Sequence, residues 1–201
     1  LQEDEDSRLS DFAKESIKML AGESDRLSRL TENLMTLARS DEDNLPAYTA
    51  QVDMTSLCQK VAAQMTLLAA EKKLQLKQEI QDNLVTQGDE MALSRLLIIL
   101  LDNAMKYSPQ QTTITLRAAK VKTHLVLEVR DEGCGISDED KQKIFDRFFR
   151  VDKARSRSQG GLGLGLSLAL AIVRQHGGSI KVFDNMPQGT VMYVKLPLEA
   201  K

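Results

Sequence analysis

Tryptophan is absent from this chain, and aromatic residues make up only 4% of its 201 residues. That leaves few rings for the stacking platforms that hold single-stranded nucleic acid. A formal net charge of −2 points the same way, because a nucleic-acid surface normally carries a basic excess. Two cysteines, Cys58 and Cys134, are too few and too distant in sequence for a disulfide scaffold or a four-ligand zinc site. A reducing, cytoplasmic setting is the simple expectation. The longest apolar run, Leu96–Leu101, is six residues, against the ~20 a membrane span needs. No charged start followed by an apolar run is present, so no signal peptide is expected in the chain.

What is there is ordinary for a folded protein: 42% hydrophobic and 28% charged residues. The pattern divides near residue 45. Ile17, Leu20, Leu27, Leu30, Leu34 and Leu37 recur at steps of three, four and seven among polar residues. That predicts one long amphipathic helix over roughly Ser10 to Arg39, with a narrow seam of coiled-coil type. Such a helix cannot bury its seam alone and needs a partner, either by folding back on the rest of this chain or, as expected here, in an intermolecular bundle. The run Ser40-Asp41-Glu42-Asp43-Asn44-Leu45-Pro46 then reads as a helix stop and linker.

Beyond the linker, helical and strand periods alternate. Asp53 or Thr55 can cap a helix with Leu57, Val61, Met65 and Leu68 on its buried face. Leu74, Leu76 and Ile80 suit a strand, as do Leu84 and Val85. Leu93, Leu96, Leu97, Leu100 and Ala104 form a strongly apolar helix ending before Pro109. Ile114 and Leu116, then Leu125, Leu127 and Val129, predict a hairpin turning over Lys120–Thr123. A short helix capped by Ser137 is expected over Glu139–Phe145, and a longer one over Leu164–His176, stopped by Gly177-Gly178. Ile180–Phe183 and Val191–Leu196 close the chain as strands. The sum is an α+β fold, a two-layer sandwich with helices on one face of a mixed sheet, preceded by the long helix.

Four groups of residues carry chemistry. Asn103 and Lys106 lie three apart at the end of an apolar helix and so share a face. An Asn carbonyl is a hard oxygen donor suited to Mg²⁺, and a Lys ammonium suits phosphate. Asp131-Glu132-Gly133-Cys134-Gly135 follows a strand; its glycines admit a ligand close to the backbone, and its Asp can accept from an exocyclic amine. Phe145-Asp146-Arg147-Phe148-Phe149-Arg150 leads into a basic polar stretch ending at Gln159, able to close over a polyphosphate as a lid that orders on binding. Gly160-Gly161-Leu162-Gly163-Leu164-Gly165-Leu166 opens a helix, where backbone N–H groups form an anion site. Singly, each group also fits a polar helix end, a glycine turn, a charged loop or a hinge.

In this order and spacing the four groups resemble the N, G1, F and G2 boxes of the sensor histidine kinase ATP-binding domain. Gln188-Gly189-Thr190 resembles that family's final Gly-Thr element. Residues Glu23–Leu30 and Leu37–Arg39 are similar to the second helix of its dimerisation domain. The resemblance implies a partial dimerisation and phosphotransfer helix over residues 1–44 and a catalytic ATP-binding domain over 45–201. It implies the sandwich shared with Hsp90, gyrase B and MutL, with ATP and Mg²⁺ as cofactors. By that resemblance Asn103 binds Mg²⁺, Lys106 touches phosphate and Tyr107 packs on the nucleotide. Asp131 reads the adenine amine, while Gly133, Gly135 and Ile136 shape its pocket together with Thr190. Gly161, Leu162, Gly163, Leu164, Gly165 and Leu166 line the phosphates, and Phe148, Phe149 and Arg150 anchor or work the lid. Lys106 and Arg150 are the catalytic candidates. The implied partners are a second copy, joined through the helical segment, and a response-regulator receiver domain. No nucleic acid or membrane contact is expected here, although the full-length protein would be anchored to a membrane through upstream segments.

The sequence departs from the family pattern at three places. Ile99 stands where a second Asn is common, four residues before Asn103, and Leu162 stands where a small or hydroxylated residue is common. The phosphoacceptor His is absent: His124 falls in the hairpin and His176 at a helix end, both expected as surface or helix-end residues. The acceptor is expected upstream of Leu1. Two alternatives stay open from the residues alone: an ATP-hydrolysing clamp of the Hsp90 or MutL type, which needs a carboxylate at position 99, and a non-catalytic nucleotide-binding scaffold.

Overall fold

A computed structural model of the protein describes residues 12–24, 27, 28, 31, 35, 50–151 and 162–198. The expected linker, most of the basic stretch after Arg150, Gly160, Gly161 and the seam residues Leu30, Leu34 and Leu37 lie outside the described residues. The chain divides into two compact units, Leu1–Arg39 and Ser40–Lys201.

In the first unit, α1 (residues 12–24) is helical, as are residues 27, 28, 31 and 35. Its apolar side chains Phe12, Ile17, Met19, Leu20, Leu27 and Met35 are 51–72% exposed.

The second unit runs β1 (Gln51–Asp53), α2 (Met54–Glu71), β2 (Gln75–Ile80), β3 (Val85–Gln87), α3 (Glu90–Tyr107), β4 (Thr113–Val121), β5 (His124–Arg130), α4 (Asp138–Lys141), α5 (Gly165–Gln175), β6 (Ser179–Asp184) and β7 (Thr190–Pro197). A five-stranded sheet has the order β2-β4-β5-β7-β6, and β1 and β3 form a separate antiparallel pair. Only the β2–β4 pairing in the larger sheet is parallel. The helices α2, α3 and α5 cover its inner face. Leu57 and Val61 of α2, Leu97 and Leu100 of α3, and Leu168 and Ile172 of α5 meet Leu116, Leu127, Val129 and Val194 in one buried core. Alternation along β5 places Leu125, Leu127 and Val129 inward and Val126 and Glu128 outward. Glu128 is nonetheless buried, held between Arg117 and Arg130.

Caps define the helix starts. Asp53 accepts from the Ser56 amide at 3.0 Å, Asp89 from the Met91 amide at 2.8 Å, and Ser137 from the Asp140 amide at 3.2 Å. Each satisfies an N–H that the helix itself cannot.

Some expectations are corrected. Leu68 is 47% exposed; the buried ridge of α2 steps by four from Leu57 through Val61 and Met65 to Ala69, turning Leu68 away. Leu84 is buried but unpaired as a strand residue. Its amide goes to Thr55 Oγ1 at 3.0 Å and its carbonyl to the Met54 amide at 2.8 Å, so it ties down the start of α2. The hairpin turn is tighter than Lys120–Thr123: β4 continues to Val121, paired with His124, and Lys122 takes φ 56°. The short helix covers Asp138–Lys141, with turns after it. His176 ends α5 as expected but is buried rather than on the surface. Its Nε2 accepts from the Asp89 amide at 3.1 Å, which places the ring proton on Nδ1, 2.7 Å from the Ile172 carbonyl oxygen. The ring lies where Gly88 leaves room: a Cβ there would meet His176 Cδ2 at 2.7 Å.

Candidate nucleotide-binding site

The C-terminal half of α3 is the spine of the site. Asn103 is half-buried, and its carboxamide has no hydrogen-bond partner among the described residues. One turn on, the Lys106 ammonium lies 5.4 Å from the centre of the Tyr107 ring, within cation–π range. Burial, and after it the nearby positive charge of Arg150, hold the Lys106 ammonium below its usual pKa. Arg150 Nη2 is itself buried without a hydrogen-bond partner among the described residues. A buried guanidinium nitrogen without an acceptor is costly. Two like charges brought toward one desolvated place suit an anionic ligand.

Asp131 lies beyond the end of β5, buried. Its Oδ1 accepts from the Gly133 amide at 2.9 Å and the Thr190 amide at 3.1 Å. Oδ2 has no partner among the described residues, so one acceptor edge remains for a ligand. Burial raises the carboxyl pKa, opposed by the two amides. The floor is main chain against main chain. A Cβ on Gly133 would meet the Tyr107 carbonyl oxygen at 2.7 Å, and one on Gly189, at φ 121°, the Asp131 carbonyl oxygen at 1.9 Å. No side chain fits at either position.

The third and fourth groups meet in space. The Phe148 amide donates to the Gly163 carbonyl at 2.9 Å, and a Cβ on Gly163 would meet the Phe149 carbonyl oxygen at 2.8 Å. Phe149 and Leu166 pack against the core, Leu164 is buried, and Phe148 and Leu162 stay exposed. Leu164 offers no side-chain cap to α5, leaving first-turn amides open. A Cβ on Gly165 would lie 3.5 Å from Ile99 Cγ2, which sets the start of α5 against the face of α3 that carries Ile99 and Asn103. Ile99 is thus a packing residue between two helices.

The structure therefore brings Asn103, Lys106, Tyr107, Asp131, Gly133, Gly163, Gly165, Arg150 and Thr190 around one end of α3. Gly135 takes φ 74° in the loop after Gly133, and Ile136 packs on the core. Gly161 lies outside the described residues. The sequence reading missed Asn185, whose Nδ2 donates to the Asp131 carbonyl at 2.9 Å across 54 positions. Its only advance signal was an Asn opening the turn between two strands.

Residues 88–200 match the family model described as histidine kinase-, DNA gyrase B-, and HSP90-like ATPase. The chain belongs to this ATPase family. Within the family it is 41% identical over 185 residues to the sensor protein CiaH of Streptococcus pneumoniae, a match covering 92% of this chain and 41% of that protein. It thus spans about two fifths of that relative's length. The solved histidine kinase AdeS of Acinetobacter baumannii superposes with a TM-score of 0.73 at 25% identity, covering 90% of this chain and 83% of that one. Full-length ShkA, solved with AMPPNP, shares the fold with a TM-score of 0.75 at 24% identity, over 88% of this chain and 37% of that one. The matched residues fall in the second unit, which carries the domain of this ATPase family.

Proposed function

We propose that this chain binds ATP with Mg²⁺ and positions the γ-phosphoryl group for transfer to a histidine on a helix it does not itself supply, from which it passes to a response-regulator receiver domain. The observation that carries the reading is the convergence of two unlike subsites on α3. One is a buried carboxylate with a free acceptor edge, Asp131. The other is the cation pair Lys106 and Arg150, whose buried Nη2 lacks an acceptor. An amine at one end and polyphosphate at the other describe an adenine nucleotide.

In this reading Asp131 Oδ2 accepts from the adenine amine, and the glycine floor lets the base lie against the backbone. Tyr107 packs against the nucleotide, while Lys106, Arg150 and the open amides at the start of α5 neutralise phosphate charge. Among the described residues no cluster of three or more His, Cys, Asp or Glu could hold a metal. Asn103 offers a single hard oxygen. That donor set fits Mg²⁺, which keeps several waters and shares its remaining ligands with phosphate. ATP supplies the transferable phosphoryl group; the protein contributes positioning and charge neutralisation. A neutral imidazole acceptor is already nucleophilic, so no carboxylate base is required. Ile99, packed against the start of α5, offers none to activate water, which argues against the ATP-hydrolysing clamp.

Residues 1–44 serve in this reading as the second helix of a dimerisation element and 45–201 as the catalytic domain. The exposed apolar side chains of α1 supply the motive for pairing with a second copy. No helix among the described residues is long and apolar enough to cross a membrane. The domain would act on the cytoplasmic side, with upstream segments of the whole protein providing an anchor.

Incubation with γ-labelled ATP and Mg²⁺ tests the reading. The chain alone should acquire no acid-labile label, since both ring nitrogens of His176 face backbone partners. A separately added helix bearing the acceptor histidine should become labelled. Phosphohistidine at His124 or His176, or rapid release of inorganic phosphate without transfer, would overturn it.

A further inference from the structure

We infer that Asn185, in the turn between β6 and β7, is a positioning residue that aims the Asp131 carboxylate and so sets discrimination for the 6-amine of the purine. The inference rests on the reading of Asp131 as the adenine-binding acid.

The argument concerns where one amide proton goes. The Thr190 N–H lies 3.1 Å from Asp131 Oδ1 and 3.3 Å from the Asp131 carbonyl oxygen, so two acceptors compete for it. Asn185 Nδ2 donates to that same carbonyl at 2.9 Å, the better-placed of the two donors. With the carbonyl served by Asn185, the Thr190 N–H can turn to the carboxylate. There it joins the Gly133 amide in holding Oδ1, which leaves Oδ2 for the ligand. Asn185 is itself fixed, because its own amide donates to the Gly189 carbonyl at 3.0 Å across the turn. The preceding residue, Asp184, is tied to Lys141 of α4 at 2.6 Å. Gly189, with no room for a side chain, lays the turn directly over the Asp131 carbonyl.

Removing the Asn185 donor leaves a carbonyl short of a partner, and the Thr190 N–H is drawn back to it. The carboxylate then keeps one anchor in place of two, and its acceptor edge wanders. Binding energy drawn from the amine falls, while that from phosphates and ring burial does not.

Three nucleotides separate the terms: ATP, inosine triphosphate, and purine riboside triphosphate, which has hydrogen in place of the amine. Affinities are measured by calorimetry on the full chain for wild type, Asn185→Ala and Asn185→Leu. The Leu variant roughly keeps the size and removes the donor without adding charge. Wild type should prefer ATP over purine riboside triphosphate. Both variants should lower ATP affinity roughly fivefold to tenfold, the worth of one hydrogen bond. Neither should change affinity for purine riboside triphosphate, so the preference shrinks. Asn185→Gln, which retains an amide, should recover part of it. A wild type indifferent to the amine would overturn the role of Asp131 itself. A wild type that discriminates, with variants that discriminate equally or lose affinity for all three nucleotides alike, would overturn the role of Asn185.

Discussion

Replacing Asp131 by Asn changes one atom and reverses one polarity. In the wild type, Oδ1 is held by the Gly133 amide at 2.9 Å and the Thr190 amide at 3.1 Å. An Asn can keep both with its carbonyl oxygen, which puts its NH₂ where Oδ2 was. The free edge becomes a donor facing the donor amine of adenine. Loss of a hydrogen bond to a charged acceptor is worth about 1.5–3 kcal/mol, or roughly 10–150-fold in Kd. The same NH₂ suits a 6-carbonyl, so inosine triphosphate should gain on ATP in the variant. Folding should not suffer: burial raises the Asp131 pKa, so the charged carboxylate is disfavoured there, and a neutral amide escapes that cost. Calorimetric titration of both proteins with ATP and inosine triphosphate, together with unliganded melting curves, checks each part. Unchanged ATP affinity in a folded variant would refute the assignment, as would equal losses for both nucleotides.

Gly189→Ala should destabilise the unliganded domain by about 3 kcal/mol or more, because its Cβ would lie 1.9 Å from a backbone oxygen at φ 121°; urea unfolding reads the cost, and a loss under 1 kcal/mol would contradict the close approach. His176 has its pKa lowered from 6.5, chiefly by burial. Its stabilising contribution should be complete above pH 6.5 and decline as pH falls from there through the lowered folded value. Urea midpoints measured from pH 8 to 5 should show that slope, and His176→Gln should flatten it. Arg150→Met removes a buried donor without a partner, so the unliganded domain should hold its melting temperature while ATP affinity drops about tenfold, the worth of a charge-assisted contact. Equal affinity would place Arg150 outside the phosphate subsite.

What could be read in advance was local. The alternation of Leu125, Leu127 and Val129, and the apolar stripe of α3, are written in consecutive residues and set by backbone periodicity. β1 escaped notice because three residues, Gln51–Asp53, carry no readable period; their pairing with β3 supplies the order. Leu68 was misplaced because a stripe stepping by three or four offers two continuations, and packing chose Ala69. The boxed residues stand out as candidates by type and spacing, and the family resemblance supplies the roles proposed for them. The supports beneath them do not stand out: Asn185 reaches Asp131 across 54 positions, and His176 reaches Asp89 across 87. Contacts of that span are created by sheet order and leave no pattern in a window of ten residues.

The main-chain floor bears on how a drug against this domain would fare. At Gly133, Gly163 and Gly189 the backbone rests directly on other backbone or on Asp131. A competitive inhibitor shaped to these surfaces, and bonded to the Asp131 acceptor, would meet few side chains that mutation could enlarge. A bulkier residue at any of the three glycines drives main chain apart, and, on the role proposed for Asp131, a replacement there forfeits the nucleotide with the drug. Escape would have to come from the rim, at residues such as Leu162 or Phe148, whose side chains stand in solvent. Compounds that avoid the rim and stay on the floor leave resistance the fewest routes.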